Sequence, residues 1–251
     1  MLDATPHVQD LYVEEHRSDR ADAPVVVLVH GVFDSCDSFA GVIEHLVPHH
    51  TVVTYDRRGW ARSTDAAPAT SLEVHAHDLL AIVGERRVTV VGHSYGGTVS
   101  MLAAVRAPER IAALAMFEPS MQWQPWWPSM DAIQAEAPYE QEHFRAGLEG
   151  KPRRTRAERE REQALLAHEL TLIAAAPCAP EDLTVPRVIG RGTLSATWRF
   201  SATDHLRDEL DCELIEIEDA GHTAHRMQPK GFADFARHAV ALGEVADSRE
   251  V

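Results

Sequence analysis

The stretch that most constrains this chain is a β-branched run, Val88 to Val91, that enters Gly92-His93-Ser94-Tyr95-Gly96-Gly97 and leaves through Thr98 to Arg106, a segment of helical composition. A Gly-x-Ser-x-Gly pentapeptide between a strand and a helix is the context of a nucleophile elbow. The serine there sits on a tight, strained turn. Glycines at Gly92 and Gly96 remove the Cβ atoms that would clash in so sharp a bend. The turn exposes the Ser94 hydroxyl and aims the first amides of the following helix at whatever the hydroxyl meets.

The rest of the chain repeats strand then helix. Pro24 to Val29 is fully apolar and β-branched, the pattern of a strand buried on both faces, and ends in His30-Gly31-Val32-Phe33-Asp34-Ser35. A helix is expected from Ser38 to Leu46. The next strand is Thr51 to Tyr55, ending in Asp56-Arg57-Arg58-Gly59. Ser71 is the expected N-cap of a helix carrying Leu72, His75, Leu79, Ile82 and Val83. Further strands are expected at Ile111–Phe117, Arg187–Gly190 and Glu213–Ile217. Such alternation predicts an α/β fold, a mostly parallel central sheet with helices on both faces.

Between Ser120 and Pro180 no strand is expected. Trp123, Pro125, Trp126, Trp127 and Pro128 open this stretch, and a mixed-charge run, Lys151 to Glu162, reads as a solvated helix face. The division is therefore a core of residues 1–119 and 181–251 with a helical cap over 120–180. The cap would lie over the carboxyl edge of the sheet, where ligands bind in open α/β folds.

Length and charge narrow the class. A chain of 251 residues with a formal net charge of −15 can bury a core of its own and argues against nucleic acid as a partner. Cys36, Cys178 and Cys212 are few and widely spaced, with no disulfide or metal-ligand pattern. No secretory h-region or membrane-spanning run is present, so the expected location is cytoplasmic. Asp247 to Val251 is expected to fray. The partner expected is a small-molecule substrate, with no membrane, no metal and no cofactor; a homodimer stays open.

The motifs together resemble the α/β-hydrolase superfamily over essentially the whole length. His30-Gly31, Asp56-Arg57-Arg58-Gly59, the Ser94 pentapeptide and Ala220-Gly221-His222 stand in the superfamily's order. The resemblance implies Ser94 as nucleophile and His222 as its base, with His225 as the neighbouring alternative. It also implies oxyanion donors in the backbone amides of Val32 and Tyr95. His30 and His93 are expected to have structural roles, and Asp34 and Ser35 to begin a helix.

One position departs from the common pattern. The triad's acid usually follows the penultimate strand, but here that loop reads Gly190-Arg191-Gly192-Thr193-Leu194-Ser195-Ala196, with no carboxylate before Asp204. Glu118 ends the strand after the elbow helix, at the correct sheet edge. Lactonases that open resorcylic macrolactones such as zearalenone look similar here, so the resemblance carries the acid role to Glu118. Phe33, Trp123, Trp126 and Trp127 are candidate pocket walls, with Met121, Met130 and Phe144 as further apolar candidates. The expected activity is a serine hydrolase acting on an ester, lactone or thioester. The alternatives are a carbon–carbon hydrolase or cofactor-free lyase using the same site, and a silent ligand-binding homologue.

Overall fold

The computed structural model describes residues 10–146, 155–175 and 182–249. Cys178, the first residues of the Lys151–Glu162 run and the last two residues of the chain lie outside the described residues, and so does the Phe144 side chain. Seven strands form one sheet: β1 (Val13–His16), β2 (Val25–Val29), β3 (Thr51–Tyr55), β4 (Val88–His93), β5 (Ile111–Phe117), β6 (Arg187–Gly192) and β7 (Glu213–Ile217). Their spatial order is β1-β3-β2-β4-β5-β6-β7. All neighbours are parallel except β1, which pairs antiparallel with β3 as an edge strand. The sequence reading does not mark β1: Val13-Glu14-Glu15-His16 has neither apolar alternation nor a β-branched run.

The helices are α1 (Ala40–Leu46), α2 (Leu72–Val83), α3 (Tyr95–Arg106), α4 (Met130–Ala146), α5 (Arg156–Ala174), α6 (Thr197–Leu210), α7 (Ala224–Met227) and α8 (Pro229–Asp247). Two apolar clusters lie on the two sheet faces. One joins Val27, Val29, Val90 and Leu114 to α2 and α3; the other joins Val26, Leu28, Val91 and Phe117 to Phe232, Phe235 and Ala239 of α8. Each fully buried Val or Phe contributes about 1.5–3 kcal/mol. β2, β4 and β5 are apolar on both faces because both faces are covered. Two helices, α4 and α5, fall between β5 and β6, where no strand was expected. No described helix is long and apolar enough to cross a membrane.

Register places the site. Val29 pairs with Gly92, Gly92 with Met116 and Met116 with Ile189. The chain thus leaves three neighbouring strands at one level, through Gly31, Ser94 and Glu118. β2 and β4 are neighbours whose following connections run to opposite sides of the sheet, which makes the gap between them the topological switch point.

Candidate active site

Ser94 occupies φ 54° and ψ −124°, a conformation L-residues rarely adopt. The surroundings enforce it. The Ser94 amide donates to the Phe117 carbonyl at 2.9 Å, and the Gly97 amide donates to the Ser94 carbonyl at 2.8 Å. A Cβ at Gly92 would lie 2.5 Å from the Gly96 carbonyl oxygen, and one at Gly96 would lie 2.3 Å from the Val29 carbonyl oxygen. Tyr95 is the first residue of α3, so its amide has no acceptor inside the helix. Phe33 (φ 55°) and Glu118 (φ 44°) also adopt positive φ, so three of the six non-glycine residues that do so among the described residues cluster here.

A cavity of about 620 Å³ opens at this edge. Ser94, Tyr95, Val32, Phe33 and His222 all line it. The inserted helices supply Met130, Ile133 and Ala137 from α4 and Leu166 and Leu170 from α5, which makes the wall mostly apolar. Of the three tryptophans considered as walls, only Trp127 reaches it. Trp126 stacks on His205 with centroids 5.5 Å apart and donates to Glu209 at 3.2 Å. Trp123 packs against the core cluster. Trp126 and Trp127 pack against the same cluster, and their rings lie 6.4 Å apart. Of the further apolar candidates, Met130 lines the cavity and Met121 is core.

His222 follows β7, and its Nδ1 lies 2.7 Å from Glu118 Oε2. Glu118 is buried. Its other oxygen accepts the Gly192 amide at 2.9 Å and a close hydrogen bond from the Ser195 hydroxyl. Arg199 Nε approaches Oε2 at 3.5 Å. Gly192, Ser195 and Arg199 were not singled out from the sequence. The signal was available: a loop of donors stands at the position where the superfamily's acid is usual, and a carboxylate can be held there. Burial, helped by the Arg199 and His225 charges, pushes the His222 imidazole well below its usual value. The 21% of the side chain that stays open is the part lining the cavity.

Beside it stand two more histidines. The His93 ring lies tilted against those of His222 and His225, with centroids 4.6 Å and 4.4 Å away, and its Nε2 meets the His222 carbonyl at 2.8 Å. Burial, then the two neighbouring histidines, holds its pKa well below the usual range. His225 is buried on α7, with Nε2 3.0 Å from Asp34 Oδ2. Asp34 also accepts a close hydrogen bond from Arg226 and takes the Ser35 amide at 2.9 Å. It therefore ties the β2 loop to α7 rather than simply opening a helix. Asp204 is bound by Arg191 at 2.9 Å and Arg207 at 3.2 Å, away from His222's acid.

Among the described residues, two groups bring three metal-capable donors within 4.8 Å: Asp34, His93 and His225, and Glu14, Cys36 and Asp37. Each already holds a guanidinium, Arg226 in the first and Arg62 in the second, and that charge opposes a cation.

Arg57 is fully buried behind the β2 loop's carbonyls, donating to His30 and Gly31 at 2.9 and 3.1 Å. Its partner is Glu169 of α5, bridged at 2.6 and 3.2 Å. Trp60 donates to the same carboxylate at 3.0 Å, and His75 Nε2 lies 3.3 Å away. Burial opposes ionisation of Glu169, but the Arg57 charge and His75 outweigh it and hold the acid down at about 2.

Comparison with known proteins agrees with this architecture. The hydrolase YraK of Bacillus subtilis, itself uncharacterised, is 37% identical over 109 residues, covering 41% of this chain and 40% of YraK. The lipase LipV of Mycobacterium tuberculosis is 35% identical over 103 residues, covering 38% and 37%. The chain thus aligns with about two fifths of the length of these curated relatives. A thermophilic esterase from Thermogutta terrifontis superimposes with a TM-score of 0.63 at 20% identity, over 93% of each chain, a likeness of fold. Residues 24–187 match the family described as alpha/beta hydrolase fold. With that match over more than half its length and a seven-stranded, mostly parallel sheet, the chain belongs to the α/β-hydrolase family.

Proposed function

We propose that this hydrolase cleaves a carboxylic ester, lactone or thioester of a small to medium apolar substrate through an acyl-enzyme on Ser94. The observation that carries the reading is the 2.7 Å contact from Glu118 to His222 Nδ1, on the wall of the cavity that Ser94 also lines. A histidine oriented this way keeps its proton on Nδ1 and presents Nε2 as the base.

A serine hydroxyl is a weak nucleophile until a base takes its proton. Ser94 Oγ attacks the carbonyl carbon while His222 Nε2 accepts that proton. The resulting imidazolium is stabilised by the Glu118 carboxylate, itself held by Gly192 and Ser195. Negative charge gathers on the former carbonyl oxygen, facing the amides of Val32 and Tyr95. His222 returns the proton to the departing alcohol or thiol as the carbon–oxygen or carbon–sulfur bond breaks. Water then repeats the sequence on the acyl-enzyme and releases the acid. Residues 120–180 act as the cap, and their apolar contribution to the wall favours an apolar acyl or ring group. A lactone is an internal ester and enters the same cycle.

The test is hydrolysis of p-nitrophenyl esters of graded acyl length, with fluorophosphonate labelling in parallel. Turnover and labelling that both vanish in Ser94→Ala support the reading. A wild-type protein that neither turns over an ester nor takes the label refutes it.

A further inference from the structure

Arg57 and Glu169 take no part in the proton transfers, yet they form the most completely enclosed charged pair at the site, with side chains 0% and 1% exposed. Replacing a buried ion pair with apolar residues is often neutral for stability, so stability alone does not explain such a pair. Its hydrogen bonds suggest a different task. Arg57 donates Nε to the His30 carbonyl and Nη2 to the Gly31 carbonyl. Its own backbone amide donates to His30 Nε2 at 2.8 Å. That leaves the His30 proton on Nδ1, which donates to the same Gly31 carbonyl at 2.7 Å. Burial, and then the Arg57 charge, hold His30 down at about 4, so it stays neutral in this one tautomer.

The Gly31 carbonyl and the Val32 amide belong to one peptide unit. In a trans peptide the two point in opposite directions, and no described peptide is cis. Two donors on the Gly31 oxygen therefore fix where the Val32 N–H points, and turning the peptide would break both bonds. The guanidinium also lies 4.6 Å from the centre of the Tyr95 ring, against the residue that carries the other oxyanion amide.

We propose that Arg57 and Glu169 are positioning residues that hold the Gly31–Val32 peptide with its amide toward the reacting oxygen, so that the seating of α5 sets the competence of the oxyanion hole. This rests on the serine-hydrolase reading given above. Glu169 comes from the inserted helices, whereas Arg57 follows β3 in the core. The ion pair is thus a mechanical link from the helix that walls the substrate to the backbone that stabilises the transition state.

The test compares wild type, Glu169→Gln and the apolar double variant Arg57→Met/Glu169→Met. Steady-state ester kinetics and amide hydrogen exchange at Gly31 to Phe33 are measured on each. Loss of one oxyanion donor costs about 10²–10³ in kcat, so a misaimed one should cost about 10- to 100-fold, with KM held within about twofold. Exchange at Val32 should rise about tenfold while that of β4 and α8 stays unchanged. The double variant guards against a fold defect, because it removes both charges together and leaves no buried ion alone. Wild-type kcat and wild-type Val32 exchange in a folded double variant would overturn the proposal. Should the wild type prove to have no esterase activity, the serine-hydrolase reading fails, and Val32 exchange alone decides the positioning role: faster exchange in Glu169→Gln supports it, unchanged exchange overturns it.

Discussion

Two carboxylate–histidine pairs stand side by side at the sheet edge, and they are not equivalent. Glu118 meets His222 at 2.7 Å and Asp34 meets His225 at 3.0 Å. Distance alone does not tell them apart. Access and charge do: His222 keeps 21% of its side chain open and lines the cavity, whereas His225 keeps none. Asp34 is also bound by the Arg226 guanidinium, so its charge is already answered. Glu118 is held closely by an amide and a hydroxyl, with the Arg199 guanidinium farther off at 3.5 Å, whereas Arg226 contacts Asp34 directly. A carboxylate beside a histidine supports proton transfer only when the ring can reach substrate and the acid is not already neutralised.

The comparison can be broken by substitution. The largest effect is expected at His222: His222→Gln should lower kcat about 10⁶-fold, as loss of the base does in serine enzymes, measured as ester turnover. Next, Glu118→Gln should lower it about 10³–10⁴-fold, because the ring loses its tautomer and its countercharge. Asp34→Asn should leave kcat within about tenfold but destabilise the fold by about 3 kcal/mol in denaturant titration, because Arg226 is left buried without its anion. If Asp34→Asn instead matched Glu118→Gln in kcat, the distinction between the pairs would fall. The smallest effect belongs to Asp204→Asn, with stability changed by less than about 0.5 kcal/mol and unchanged turnover, since that carboxylate is 42% exposed.

Acidity sharpens the same contrast. On the proposed mechanism the neutral His222 acts as the base, and its pKa is depressed, so kcat should hold below pH 6.5 before falling on the acid side. Stability should respond sooner. His30, His75 and His93 are buried with depressed values, chiefly from burial, so the unfolded chain binds more protons than the folded one below about pH 6.5. Stability is therefore full above that pH and declines as pH falls. His30 alone, depressed to about 4, contributes on the order of 3 kcal/mol to the loss. Thermal melts between pH 7 and pH 4 would check the sign.

Much of the parallel core was legible, because a strand buried on both faces must be apolar throughout and turns of this kind need their glycines. Val13–His16 was not, since an edge strand with one open side tolerates Glu14 and Glu15. The environment of Glu118 was half legible: an empty acid position drew attention to the nearest alternative, but nothing local marks Ser195 as its donor. The link from Arg57 to Glu169 was invisible. It spans 112 positions, and Glu169 is the one buried acid of its helix, where Glu158 and Glu160 are exposed. Which of Trp123, Trp126 and Trp127 would line the cavity was not legible either, because neighbouring large apolar residues pack in whichever direction offers cover.

The hydrogen bond from the Ser94 amide to the Phe117 carbonyl ties the proposed nucleophile and the proposed acid into one crossover, β4–α3–β5, whose contacts are close in sequence. The proposed base arrives only with β7 and the turn after it. A ribosome would thus deliver the serine and its distant acid long before the group that activates them. On the proposed mechanism, Ser94 would stay chemically quiet until His222 is made, and the last stretch of the chain would act as the arming step.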